Sequence, residues 1–308
     1  MAGQRHEVDL VERRQLTGIR TSEAEHLLNK VVDASRCIAT LRMRPMTLHE
    51  LGASSDEVSL AALFNGEAPT GSGGADDLRG VLELLVSGGW PQQLRRPDRR
   101  FVVDYLEQTA HVDINGQAGS RGRRRRDPDK VRAFLRSLAR NIVTPVGART
   151  IATDTGPSRD AVTDYLDALQ GLMIVEDQPA FNVHLRSSRN LRVTPNRHFV
   201  DPSLAVAALR TDAEGRRMMA DLNYTGLLFE SMVLRDVRVL AQPLDASVMY
   251  FHTDAHEIDI VVQRPGGEWG AVEVTLGGDS LIDQGANSLL AAVESIDLAR
   301  AAGRSSWW

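Results

Sequence analysis

Apolar positions recur along this chain in two rhythms, one near 3.6 residues and one near 2. Leu78, Val81, Leu82 and Leu85 keep helical spacing. The helix they predict stops at Ser87-Gly88-Gly89-Trp90-Pro91, where two glycines and a proline end it. Phe101–Thr109 predicts a second amphipathic helix. From Asp129, Val131, Phe134, Leu135 and Leu138 predict another, and Val146–Ala152 a short one after Pro145. Gly156-Pro157-Ser158 opens a further helix carrying Ala161, Val162, Tyr165, Leu166 and Leu169, which Gly171 closes. Leu172–Val175 reads as a strand, followed by a turn at Asp177–Pro179. Upstream, Glu23–Ser35 has a helical pattern, and Leu41–Met46 is expected to be extended because Pro45 restrains its predecessor. Short helices are expected around Leu48–Leu51 and at Leu60–Phe64, the latter N-capped by Ser59. Ala68–Gly74 is a loop by composition.

Towards the C-terminus, Leu228, Met232, Val233, Val237 and Leu240 mark a helix over Thr225–Leu240. Three strand-like runs follow, Val248–Thr253, Glu257–Arg264 and Trp269–Leu276, and the helical rhythm returns over Ser280–Ala299. The order α-β-β-β-α predicts an α/β module. The expected fold class is α/β and multi-domain: a helical region over 1–115, a winged-helix-like module of three helices and a hairpin over 127–200, and the α/β domain over 201–308. The boundary between the first two falls in the basic stretch Gly116–Arg126.

The hairpin Glu257–Val262 with Val272–Thr275 is the most informative chemical feature. With Pro265-Gly266-Gly267 as a three-residue loop, Arg264 lies opposite Glu268 and Asp259 opposite Glu273. Side chains alternate along each strand, so Asp259, Glu273 and Thr275 would share one face, and Ile258, Ile260, Val262, Val272 and Val274 the other. Two carboxylates directly opposite repel each other. A divalent cation such as Mg²⁺ between Asp259 and Glu273 would remove that penalty. Glu230 lies at the edge of the apolar stripe Leu227, Leu234 and Val237, placed to point into the same site.

Composition narrows the chemistry. The net charge of −5 excludes a protein that binds nucleic acid with its whole surface, so such binding needs a local patch. The run Arg121, Arg123, Arg124, Arg125 and Arg126 is the candidate, with a solvated loop as the alternative. The single cysteine, Cys37, rules out an intrachain disulfide and a cysteine-built zinc site, which fits a reducing, cytoplasmic setting. No run of ~18 apolar residues predicts a membrane span. Lysine occurs at Lys30 and Lys130 alone, and no Gly-Lys pair exists to make a phosphate-binding loop. His252 and His256 are expected in a surface loop.

The order helix-Glu230, strand-Asp259 and then Glu273-x-Thr275 resembles the PD-(D/E)XK nuclease arrangement, with Thr275 where the family has its lysine. The resemblance extends further. Leu41–Gly52, Val58-Ser59-Leu60, Phe64-Asn65-Gly66 and Gly88–Pro91 resemble the lid region of bacterial AAA+-type ATPases that end in domain of unknown function 4143. Leu138–Asn141, Tyr165–Leu169, Phe199–Leu204 and Phe229-Glu230-Ser231 resemble the C-terminal half of the same family. Gln15–Gly18 resembles the segment that senses the γ-phosphate in those ATPases. The resemblance implies a lid-like first region, a nuclease-like third, and a family member lacking its nucleotide-binding front and shortened at its end. The expected function is non-catalytic binding of protein or DNA. The alternatives are a Mg²⁺-dependent nuclease using Glu230, Asp259 and Glu273, and an ATPase subunit completed by a separate phosphate-loop chain.

Overall fold

Short polar side chains set where the helices begin. Ser59, Asp127, Ser158, Asp201 and Asp221 each accept a hydrogen bond from a backbone N–H in the first turn that follows, a contribution of about 1 kcal/mol apiece. The computed structural model describes residues 42–55, 57–68, 78–95, 98, 100–114, 126–182, 193–210 and 216–296. The fold is mixed α/β. The helices among the described residues are α1 (Leu60–Phe64), α2 (Leu78–Ser87), α3 (Pro91–Arg95), α4 (Phe101–Gln108), α5 (Pro128–Arg140), α6 (Ala148–Thr155), α7 (Arg159–Gly171), α8 (Pro202–Ala208), α9 (Arg216–Ala220), α10 (Leu222–Ala241) and α11 (Asp279–Ser295). Between α10 and α11 lie β1 (Ser247–His252), β2 (Glu257–Gln263) and β3 (Trp269–Val272), an antiparallel sheet in that order. No helix among the described residues is long and apolar enough to cross a membrane.

The helical rhythms at 78–86, 101–109, 131–138, 158–170 and 225–240 all form helices, within a few residues of the expected ends. Four readings differ. Residues 172–174 make a turn rather than a strand, with Met173 at a left-handed φ of 54° and its N–H on the Gln170 carbonyl at 2.9 Å, so extended pairing starts only at Val175. Residues 47–51 make a single turn, closed by the Leu51 N–H on the Thr47 carbonyl at 3.0 Å, because Glu50 folds back to accept the Thr47 N–H at 2.8 Å. Asp177–Pro179 is extended rather than a turn: Val175 pairs with Phe199 and Gln178 with Asn196, both antiparallel. β3 ends at Val272, short of Leu276. The readings over residues 1–41, 69–77, 115–125 and 297–308, including Cys37, Lys30 and Gln15–Gly18, lie outside the described residues.

The largest core joins α2, α4, α5, α6, α7 and α8 to the first half of α10 through Leu228 and Met232. Every residue of α8 is buried, so this short helix is the hub of the helical part. The sheet is covered on both faces. Val261, Trp269 and Ala271 pack with Leu289, Ala292 and Val293 of α11 and with Phe181. Ile260 and Val262 pack with Leu234 and Ala241 of α10 and with Leu63 and Phe64 of α1. The ribbon at 175–181 closes the β1 edge: Tyr250 donates to the Pro179 carbonyl at 3.0 Å and Phe181 to the Tyr250 carbonyl at 2.6 Å. α10 is therefore a strut shared by the helical core and the sheet.

A buried polar knot ties distant segments to that strut. Asp201 is fully buried and accepts from the Gly89 N–H at 2.9 Å and from Arg235 Nη1 at 2.8 Å. Its other oxygen accepts from the Ser203 N–H at 2.9 Å. Trp90 Nε1 donates to Ser203 Oγ at 2.9 Å, and Asp236 beside Arg235 accepts the Leu48 N–H at 2.8 Å. The glycine pair at 88–89 is required here. Gly88 holds a left-handed φ of +66°, and a Cβ on Gly89 would overlap the Met46 carbonyl.

A candidate acidic site at the sheet

The site forms where β2 meets α10. The observed pairs run from Gln263↔Trp269 to Ile260↔Val272, as the three-residue loop predicts, and the Arg264 N–H donates to the Glu268 carbonyl at 2.9 Å. The ladder stops one pair short of Asp259 and Glu273. There the Val274 N–H turns to Asp259 Oδ2, at 2.8 Å.

Strict alternation fails on the β1 side. Met249 pairs with Val261 but Phe251 with Ile258, so Tyr250 alone faces both Asp259 and Ile260. One extra residue in β2 makes a β-bulge. Its consequence is visible in the packing: Ile258 joins Val261 on the α11 side, whereas Ile260 joins Val262 on the α10 side. The expectation that Ile258 shares a face with Ile260 is corrected accordingly. The bulge is held from outside the sheet. The buried Gln178 amide donates to the Met249 carbonyl at 3.0 Å and to the Asp259 carbonyl at 2.8 Å. Gln178→Ala is expected to leave both carbonyls without this donor and to lower stability by about 1 kcal/mol, read from the midpoint of urea unfolding.

Glu230, nine per cent exposed on α10, shares this region with the two strand carboxyls. Burial pushes its carboxyl up to about 9, with added repulsion from Asp259, Glu257 and Glu273. Burial also raises Glu273, to about 8, again with Asp259 and Glu257 opposing its charge. Asp259 is raised less, to about 6, because the Val274 N–H offsets part of the cost of burial. One oxygen of Glu273, Oε2, is buried without a hydrogen-bond partner. Glu230, Asp259 and Glu273 thus lie close enough for their charges to oppose one another.

Metal geometry is a separate matter. Among the described residues, no three His, Cys, Asp or Glu side chains converge closely enough to hold a metal ion. Asp259 Oδ2 is already engaged by a backbone donor. The described residues thus form no three-carboxylate cage for a Mg²⁺ at Glu230, Asp259 and Glu273. Thr275 lies under α11, where a Cβ on Gly285 would come within 2.8 Å of Thr275 Oγ1. Lys130, on α5, is exposed and belongs to the helical part.

Two participants were not singled out from the sequence. Glu257 opposes all three carboxyls, and its position two residues before Asp259 was a usable signal. Gln178 had none, since nothing local links it to β2. Of the basic run, Arg126 is described, and it is not a free surface cation. It is six per cent exposed, donates to the Ile114 carbonyl at 2.7 Å and pairs with Asp164 at 2.9 Å. Arg121, Arg123, Arg124 and Arg125 lie outside the described residues. His252 is exposed, 3.8 Å from Glu257.

Residues 78–215 are similar to a family described as Domain of unknown function (DUF8612). That segment runs from α2 through α8 and stops before α10 and the sheet, so it does not include Glu230, Asp259, Glu273 or Thr275. No curated protein and no solved structure matches the chain.

Proposed function

We propose that this chain is a non-catalytic binding protein, a relative of the AAA+-type ATPases with domain of unknown function 4143, whose nuclease-like acidic site no longer performs chemistry. The observation that carries this reading is the make-up of the site. Its three carboxyls share a low-dielectric region without the convergence that a divalent cation needs, and Thr275 stands where the reaction requires a cation. An ordinary threonine hydroxyl neither neutralises developing charge nor holds a water as an ammonium does. The lack of any Gly-Lys pair supports the absence of ATP hydrolysis by this chain alone.

The remaining surface favours a protein partner over DNA. In this reading α5, α6 and α7, with the paired segments 175–178 and 196–199, form a winged-helix-like unit. Its third helix carries Asp160, Asp164 and Asp167 against the single Arg159. Carboxylates along the helix that would enter a groove oppose phosphate contact.

Incubation of the purified chain with linear and supercoiled DNA in Mg²⁺ or Mn²⁺ is expected to give no cleavage. Cation-dependent cleavage that Asp259→Ala abolishes would overturn the reading and install the nuclease in its place.

A further inference from the structure

Directly before Gln178, Glu176 and Asp177 line a cleft of about 270 Å³ together with Arg44, Arg238, Gln242 and Ser247. The charged groups that line it balance, Arg44 and Arg238 against Glu176 and Asp177, but two further guanidiniums, Arg42 and Arg197, stand on the same carboxylates outside the lining. The Glu176 carboxylate faces three guanidiniums: Arg42 Nη1 at 3.1 Å, Arg44 Nη1 in direct contact, and Arg238 Nη1 at 3.7 Å. Asp177 pairs with Arg197 and also accepts from Gln170 Nε2 at 2.9 Å. Four guanidiniums against two carboxylates leave two positive charges over among these groups.

Of the guanidiniums in this cluster, Arg238 sits where water screens it poorly. Arg238 is eight per cent exposed. Burial pushes its guanidinium down to about 10, with Arg44 and Arg42 working against the help from Glu176. Arg44 Nε is buried and has no hydrogen-bond partner. Buried cations that share one carboxylate are only partly compensated, and planar guanidinium donors match the geometry of phosphate oxygens. A phosphomonoester carries about −1.5 to −2 at neutral pH, which suits this surplus. A phosphodiester or a carboxylate, with one charge, would leave half of it in place.

We propose that this cleft binds a phosphomonoester dianion between Arg44 and Arg238, with Gln242 and Ser247 as polar walls. The site stands independently of the acidic site at β2.

The test is calorimetric titration of the full chain at pH 7.5 and constant ionic strength, with inorganic phosphate and phenyl phosphate as probes and acetate as control. Melting temperature is followed in parallel. Both phosphates are expected to bind saturably and raise the melting temperature, whereas acetate does neither. Arg44→Gln is expected to weaken phosphate roughly tenfold or more. Arg42→Gln, at the more exposed position, should act in the same direction in a chain that keeps its fold. Glu176→Gln removes the internal anion and is expected to do the opposite, binding phosphate more tightly and depending on it for stability. A bracing role for Glu176 would not produce that gain. The absence of saturable binding would overturn the site, as would binding that Arg44→Gln, Arg42→Gln and Glu176→Gln leave unchanged. A 5′-phosphorylated oligonucleotide compared with its 5′-hydroxyl form then separates the two sources. Preference for the phosphorylated form upholds the site and assigns it to a nucleic-acid end. Equal weakness of both, beside firm binding of phenyl phosphate, upholds it and assigns a small ester.

Discussion

Asp201→Ala is expected to destabilise the fold by about 3–5 kcal/mol, the cost of removing one partner from a buried ion pair. Asp201 has no exposed surface, and its two oxygens take N–H donors from Gly89, Ser203 and Arg235. Alanine leaves the Arg235 guanidinium, two per cent exposed, with Asp236 as its remaining carboxylate neighbour. It also leaves the Gly89 and Ser203 amides without this acceptor. Those groups belong to segments far apart in sequence, so the loss is felt at the hub helix α8 and at the strut α10 together. Urea unfolding followed by circular dichroism measures it. Asp201→Asn should fall between wild type and alanine, because the amide keeps one acceptor but sets an NH₂ against the surrounding donors. A loss below about 0.5 kcal/mol for alanine would show that water or a local shift replaces the carboxylate.

Glu230→Gln is expected to act in the other direction, by a margin that grows as pH rises above about 5. A carboxyl whose folded pKa lies above its unfolded value keeps its proton in the fold and releases it on unfolding. The folded state then binds more protons, so stability falls as pH rises through the interval between the two values. For Glu230 that interval runs from the ordinary 4.5 to about 9, for Glu273 from 4.5 to about 8, and for Asp259 from 3.8 to about 6. The wild-type protein should therefore lose stability progressively between about pH 5 and pH 9 on account of these groups. Glutamine reproduces the protonated carboxyl without a proton to lose. The variant should match wild type near pH 4.5 and exceed it by several kcal/mol, on the order of 1.4 per pH unit crossed, at pH 8.5. Thermal melts across that range supply the test. Equal destabilisation at every pH would mean that the Glu230 carboxylate has a stabilising partner. A rise in wild-type melting temperature with Mg²⁺ at pH 8.5, absent in the variant, would identify that partner as a metal ion.

The sequence carried the local geometry of this region further than its chemistry. The dipeptides around Pro265-Gly266-Gly267 were enough to fix which β2 residue meets which β3 residue, because turn length sets register. The apolar stripe on α10 was enough to bring Glu230 to the same place, because helical spacing sets which side chains share a face. The two-residue alternation of β2 was not enough. It predicted that Ile258 and Ile260 share a face, and the bulge at Asp259–Ile260 separates them. The donor that holds the bulge, Gln178, arrives from 81 positions away, beyond the reach of any local pattern. Arg126 failed for a related reason. Read in its run of arginines it is a solvated cation, but Asp164 and the Ile114 carbonyl draw it inside.

By itself, then, the sequence determined the helix starts at Ser59 and Ser158, the hairpin register, and the absence of a lysine beside Glu273. Each follows from turn chemistry, periodicity or residue identity, which act within a few residues. The tertiary structure alone decided the bulge, the raised carboxyls of the acidic site, the fit of Gly88 and Gly89 against Met46 and Asp201, and the surplus of arginines around Glu176. Those depend on which distant surfaces exclude water from one another. The energy of a charge is set by that exclusion and by its neighbours, not by its place in the chain.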